Sequence, residues 1–119
     1  MKEVEIEIEN EFVNFVIGQN SKDNFKIIDD AEKYDLWFHA NSLPSCHVIV
    51  KLPEDYNFSK KQMQKIVTQG SLLCKENTNS LKSGNKIEFV YTNVENLKKG
   101  KKEGSVHFKD NNLLKYKKI

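Results

Sequence analysis

The sequence predicts an α+β fold: a largely antiparallel sheet of about six or seven strands with two main helices. Three observations lead there. Segments of period two and segments of helical period follow one another as strands, helix, strands, helix, strands, without the strict alternation of a parallel α/β protein. The 119 residues suffice for one core and leave no room for two, so residues 1–119 form a single domain. Seven Phe, four Tyr and one Trp supply bulky core material in a chain otherwise rich in charge.

Val4, Ile6 and Ile8 alternate with Glu3, Glu5, Glu7 and Glu9, the pattern of a half-exposed strand. Asn10-Glu11 offers a turn into a second strand over residues 12–17, which Gly18 ends. Ser21 is the expected N-cap of a short helix over residues 22–32, with Phe25, Ile28 and Ala31 inward. Residues 36–40 are a third strand, 41–45 a loop and 47–52 a fourth strand. Residues 53–58 connect to the longest helix, which begins at Ser59 with Met63, Ile66, Val67, Gly70, Leu73 and Cys74 at helical spacing. Gly70 costs that helix roughly 1 kcal/mol relative to Ala, a cost that close packing on the sheet would offset. Residues 77–84 are polar and break the pattern. Residues 86–92 are a fifth strand, 96–103 a basic loop, and 105–108 and 113–117 short strands around an Asp110-Asn-Asn turn.

No run of apolar residues approaches the roughly 18–20 needed to span a bilayer, and the charged N-terminus is unlike a signal or transit peptide. The expectation is a soluble cytoplasmic protein with no membrane partner, a nuclear location being the alternative. Cys46 and Cys74 form no CxxC motif and are expected to be packed free thiols. The net charge of +2 hides an asymmetry: residues 1–35 carry four Lys against ten acids, and residues 36–119 carry fifteen against seven. A basic part of this kind suits a polyanion. All nineteen cations are Lys, so binding should rest on phosphate charge and depend strongly on salt, without an arginine fork to read guanine.

The candidate site lies in Asp35-Leu-Trp-Phe-His-Ala-Asn-Ser-Leu-Pro-Ser-Cys-His-Val48. Trp37 and His39 share one face of the third strand, while Leu36, Phe38 and Ala40 take the other as core. His47 joins the first pair only if the register sets residue 39 opposite residue 47; a one-residue slip would separate them. An indole stacked on a base is worth roughly 1–3 kcal/mol, and neutral imidazole bonds phosphate, ribose or base edges. The alternative is a buried Trp37 with structurally bonded histidines. His39, Cys46, His47 and Cys74 are zinc-type ligands at no compact spacing, so no metal or other cofactor is expected. Cys46, His47 and Asp35 as a nucleophilic set, or His39 and His47 as acid and base, lack a selecting signal. Lys98, Lys99, Lys101 and Lys102 surround Gly100 and suit a phosphate track, unless they are a solvated loop. Residues 18–24 precede a helix start, another place for phosphate.

In order, Gly18-Gln-Asn20 with Asn24, Asp35 to His39, Pro44-Ser-Cys-His-Val48, the helix from Ser59, Tyr91-Thr92, Lys98 to Lys102 and Gly104-Ser-Val106 are similar to the pattern of the NFACT-R domain. That domain closes the fibronectin-binding-A-like and ribosome-quality-control NFACT proteins. The chain departs from the pattern at Gln19, Phe25 and Ser45-Cys46. The resemblance implies a solo RNA-binding domain, like the small eukaryotic coiled-coil-containing members without their coiled coil. It implies tRNA or rRNA as ligand, with DNA and the ribosome as alternative partners. The site residues it implies are Asn20, Asn24, Trp37, His39, His47, Tyr91 and the four lysines. An RNA-modifying or RNA-cleaving enzyme using the His pair, and a protein-interaction adaptor docking through the acidic first strand, are the competing functions.

Overall fold

The computed structural model describes residues 1–53 and 57–119. The elements run β1 (Lys2–Ile8), β2 (Glu11–Gly18), α1 (Ser21–Asp29), β3 (Leu36–Ala40), β4 (His47–Lys51), α2 (Lys60–Glu76), β5 (Glu88–Asn93), β6 (Leu97–Lys99), β7 (Val106–Phe108) and β8 (Lys115–Lys118). Six strands make one antiparallel sheet in the order β1-β2-β4-β3-β5-β8, and β6 and β7 form a separate hairpin. The α+β class stands. Of the connection expected over residues 53–58, residues 54–56 lie outside the described residues.

One face of the sheet is closed by α2. Phe15, Ile17, Leu36, Phe38, Val48, Val50 and Phe89 pack there with Ile66, Val67, Leu73 and Cys74 of the helix. Ser59 and Gln62 bond reciprocally as a capping box that starts α2. A Cβ on Gly70 would sit 2.6 Å from the Phe38 ring; the helical glycine lets α2 lie directly on that ring.

The other face is covered by shorter pieces. α1 and the β6–β7 hairpin enclose Val16, Ile27, Trp37, Ile49, Val90, Val94 and Leu97. Here the sequence expectations need correction. The cap of α1 is Asn20, whose Oδ1 accepts from Asp23 N at 2.8 Å, so Ser21 is the first helical residue. The helix ends at Asp29 rather than at 32, and it buries Asn24 and Ile27. Phe25, Ile28 and Ala31 are half-buried. Residues 96–103 are not all loop, because β6 occupies three of them. The last strands do not pair with each other: β7 pairs with β6, and β8 with β5. The cause is the buried Asn96. Its Nδ2 donates to Thr92 Oγ1 and to the Asp110 carbonyl, and its Oδ1 accepts from Asp110 N. That clamp holds residue 110 against the end of β5, and a 3-10 turn at Asn111–Leu113 sends the chain back along β5.

Candidate nucleic-acid interface

Register builds the site. Gly18 pairs with His47, and β3 and β4 pair as Leu36 with Val50, Trp37 with Ile49 and Phe38 with Val48. One step further along that ladder, His39 faces His47. Their ring centroids are 4.9 Å apart and nearly perpendicular. His39 also pairs with Val90, and Val90 with Tyr116. A row of Gly18, His47, His39, Val90 and Tyr116 therefore crosses the sheet on the face away from α2. The register that brings both histidines together is the one present.

Trp37 lies beneath this row. It is 1% exposed, stacked on His39 with centroids 5.6 Å apart and edge-on to Phe108. Its indole N–H donates to His47 Nδ1 at 3.0 Å. An indole N–H can only donate, so Nδ1 of His47 holds a lone pair and the neutral ring carries its proton on Nε2. Burial, then the neighbouring His39, push the His47 pKa down to about 3. His39 Nδ1 lies 2.7 Å from its acceptor, the Ala40 carbonyl, which puts the lone pair of the neutral ring on Nε2. Burial lowers the His39 pKa more than its backbone hydrogen bonds raise it. Trp37 is thus the floor of the site, and His39, half-buried, is the ring that meets the outside.

Above the row opens a cleft of about 570 Å³. Its walls are the start of α1, the β3–β4 loop and the turn joining β6 to β7, with Ser21, Asn24, His39, Lys102 and Phe108 among the lining. Gly104 has a φ of +85°, and a Cβ there would lie 2.9 Å from Ser21 Cα. Only glycine allows this left-handed turn to press so closely on α1, which brings Lys102 to the cleft. At the other wall, Asn24 packs on Gly18: a Cβ at residue 18 would collide with Asn24 Oδ1. That oxygen is buried and has no hydrogen-bond partner among the described residues. The β3–β4 loop is held by Ser45 Oγ, which accepts from Ala40 N.

The ten candidate residues divide. Asn24, Trp37, His39, His47 and Lys102 meet at the cleft. Asn20 is an exposed helix cap beside it. Lys98, Lys99 and Lys101 lie along the exposed hairpin, where Lys99 pairs with Asp29 and lies over the Phe25 ring. Tyr91 is on the α2 face, stacked on Phe38, and does not join the others. Ser21, Ser42, Leu43, Ser105 and Phe108 also line the cleft and are not among the ten site residues named from sequence. A period-two pattern at Leu97-Lys-Lys99 and Val106-His-Phe108, separated by two glycines, is the signal that would have placed the hairpin.

The set of Cys46, His47 and Asp35 does not assemble, whereas His39 and His47 do meet. Cys46 packs on the α2 side, whereas His47 faces the cleft. Buried Asp35 sits at the opposite end of β3, where its carboxylate accepts from Glu32 N and Leu52 N and pairs with Lys51. The sheet likewise separates the two histidines from Cys46 and Cys74, so the four do not converge on a metal.

The family described as NFACT protein RNA binding domain matches residues 6–110. The chain belongs to this family. Membership makes it a nucleic-acid-binding domain, with RNA as the general partner. Among solved structures, the C-terminal part of the fibronectin/fibrinogen-binding protein from Streptococcus suis is similar in fold, with a TM-score of 0.77 and 20% identity. That likeness covers all of this chain and 45% of the streptococcal one, so the NFACT-R fold here spans less than half of that neighbour. No curated protein matches. No described helix is long and apolar enough to cross a membrane.

Proposed function

We propose that the α1–hairpin face of this NFACT-R domain holds an unpaired stretch of RNA without cleaving or modifying it, tRNA or rRNA being the ligand and translation or ribosome quality control the setting. The observation that carries this reading is the cleft over the histidine row, with Lys102 in its lining and Lys98 and Lys101 exposed on the adjoining hairpin. Those three lysines form no ion pair among the described residues. They are free to replace counterions on a phosphate chain. Lys99 already neutralises Asp29 and contributes less. His39 Nε2 offers an acceptor to a base or ribose. Tyr116, half-exposed at the end of the same row, offers the stacking surface that the buried Trp37 does not. Base stacking favours single strands, whose bases are not already stacked on neighbours.

His47 is poorly suited to acid–base work near neutral pH, because one nitrogen is occupied by the indole and its pKa is about 3. The test is fluorescence anisotropy with tRNA over a salt series. Changing Lys98, Lys101 and Lys102 together to Ala should weaken binding. It should also flatten the log–log salt slope by roughly 2 units, at about 0.7 per phosphate contacted on single strands. Unchanged affinity and slope would reject the assignment. DNA of the same sequence reports whether the ribose 2′-hydroxyl matters.

A further inference from the structure

On the α2 side of the β3–β4 loop, the two cysteines lie against each other. Cys46 Sγ is 4.0 Å from Cys74 Sγ and 3.5 Å from the Cys74 carbonyl. Cys74 Sγ in turn is 3.4 Å from Ser45 Oγ and 3.2 Å from the Cys46 carbonyl. Both are free thiols; Cys74 is buried, and Cys46 is partly open to solvent. A sulfur–sulfur bond is about 2.05 Å long, so the pair is one side-chain adjustment from bonding. The surrounding polar contacts hold the sulfurs facing each other, unlike two cysteines merely packed among hydrocarbons. Thr78 strengthens the arrangement by accepting from Cys46 N and donating to the Cys74 carbonyl.

We propose that Cys46 and Cys74 are a peroxide-sensitive dithiol that closes into a reversible intramolecular disulfide, strapping the β3–β4 loop of the cleft to α2. The roles of the two sulfurs are unequal. Cys46 is the accessible one, and the hydrogen bond from the Cys74 thiol lowers its pKa toward neutrality despite burial. The same contact, with burial, pushes Cys74 up. Cys46 is therefore the attacking thiolate and Cys74 the resolving thiol.

In the first step the Cys46 thiolate attacks hydrogen peroxide. A sulfur–oxygen bond forms, the oxygen–oxygen bond breaks, and the departing hydroxide takes up a proton to leave as water. Cys46 is then a sulfenic acid. In the second step Cys74 sulfur attacks Cys46 sulfur. The sulfur–sulfur bond forms and the sulfur–oxygen bond breaks. The leaving hydroxide takes the Cys74 proton as a second water. Two electrons pass from the thiol pair to the peroxide, and a reducing dithiol restores the start.

The full chain, reduced and then treated with hydrogen peroxide, is denatured in iodoacetamide and read by intact and peptide mass spectrometry. The expected product is a monomer lighter by two hydrogens and carrying no alkyl group. Its Cys46 and Cys74 peptides are joined, and dithiothreitol reverses the change. The Cys74→Ser variant should stop at a Cys46 sulfenic acid captured by dimedone. Three results with the wild-type chain would overturn the proposal, whatever the variant does: both thiols alkylated after peroxide, Cys46 over-oxidised with Cys74 still alkylated, or a disulfide-linked dimer. None of these readouts depends on RNA binding.

Discussion

Along the single strand β3, alternate residues meet very different surroundings. Leu36, Phe38 and Ala40 press on α2 in a closed apolar layer. Trp37 and His39 meet a short helix and a two-stranded hairpin, among buried polar groups that include His47, Asn24, Thr92 and Asn96. The first face is held by burial of hydrocarbon, which is non-directional and scales with area. The second depends on hydrogen bonds of defined geometry: indole to imidazole, and Asn96 to both Thr92 and Asp110. Short covering elements leave a gap between them, and that gap is the cleft. Stability concentrates on one side of the sheet, and the proposed RNA site lies on the other.

The sharpest way to break this contrast is Phe38→Ala. Phe38 is fully buried beneath Gly70, and the variant should lose about 3–5 kcal/mol in urea unfolding. A loss under about 1 kcal/mol would mean that the α2 face is not the main core.

Acid should act on the other face. His47 stays neutral in the folded chain down to a pKa of about 3, while the unfolded chain takes up a proton below its ordinary value near 6.5. The unfolded state binds more protons between those values, so stability is full above about pH 6.5 and falls as pH drops toward 3. The slope should approach about 1.4 kcal/mol per pH unit, or about 2 kcal/mol between pH 6.5 and 5. His39, lowered in the same direction, adds to it. His47→Gln should remove most of this dependence; an equally steep profile in that variant would assign the effect elsewhere.

Trp37→Phe should cost about 1–3 kcal/mol, because it leaves His47 Nδ1 buried without its donor. NMR titration should also find the His47 pKa higher than in the wild type, since a protonated Nδ1 no longer opposes an indole N–H. An unchanged pKa would mean that this hydrogen bond does not set the tautomer. The smallest effect on folding belongs to Tyr116→Ala. Stability should move by less than about 0.5 kcal/mol, while affinity for single-stranded RNA falls and affinity for duplex holds. Equal losses for both would point to lost charge packing rather than stacking.

Much of this was legible because local patterns carry it. The alternation in residues 4–8 and 36–40, the helical spacing from Met63 to Cys74 and the ordered NFACT-R segments specify the sheet, α2 and the family. The close fit of Gly70 to the sheet was also foreseeable, because a glycine inside an otherwise regular helix asks for a packing reason. The β6–β7 hairpin was hidden, since its strands are three residues each and its lysines read equally well as a loop. The place of Tyr91 on the α2 face was hidden for a different reason: a strand pattern separates two faces but does not say which one meets which neighbour.

The sequence by itself determined the α+β class, the family, the uneven charge and which side chains share a face of β3. Those follow from periodicity and residue chemistry within short windows. Only the tertiary structure decided that His39 faces His47, that Trp37 is floor rather than platform, that Asn96 sends the last strands to different partners, and that Cys46 meets Cys74. Each of these depends on register between strands or on contact across many intervening residues. A one-residue slip would reverse it while leaving every local pattern unchanged.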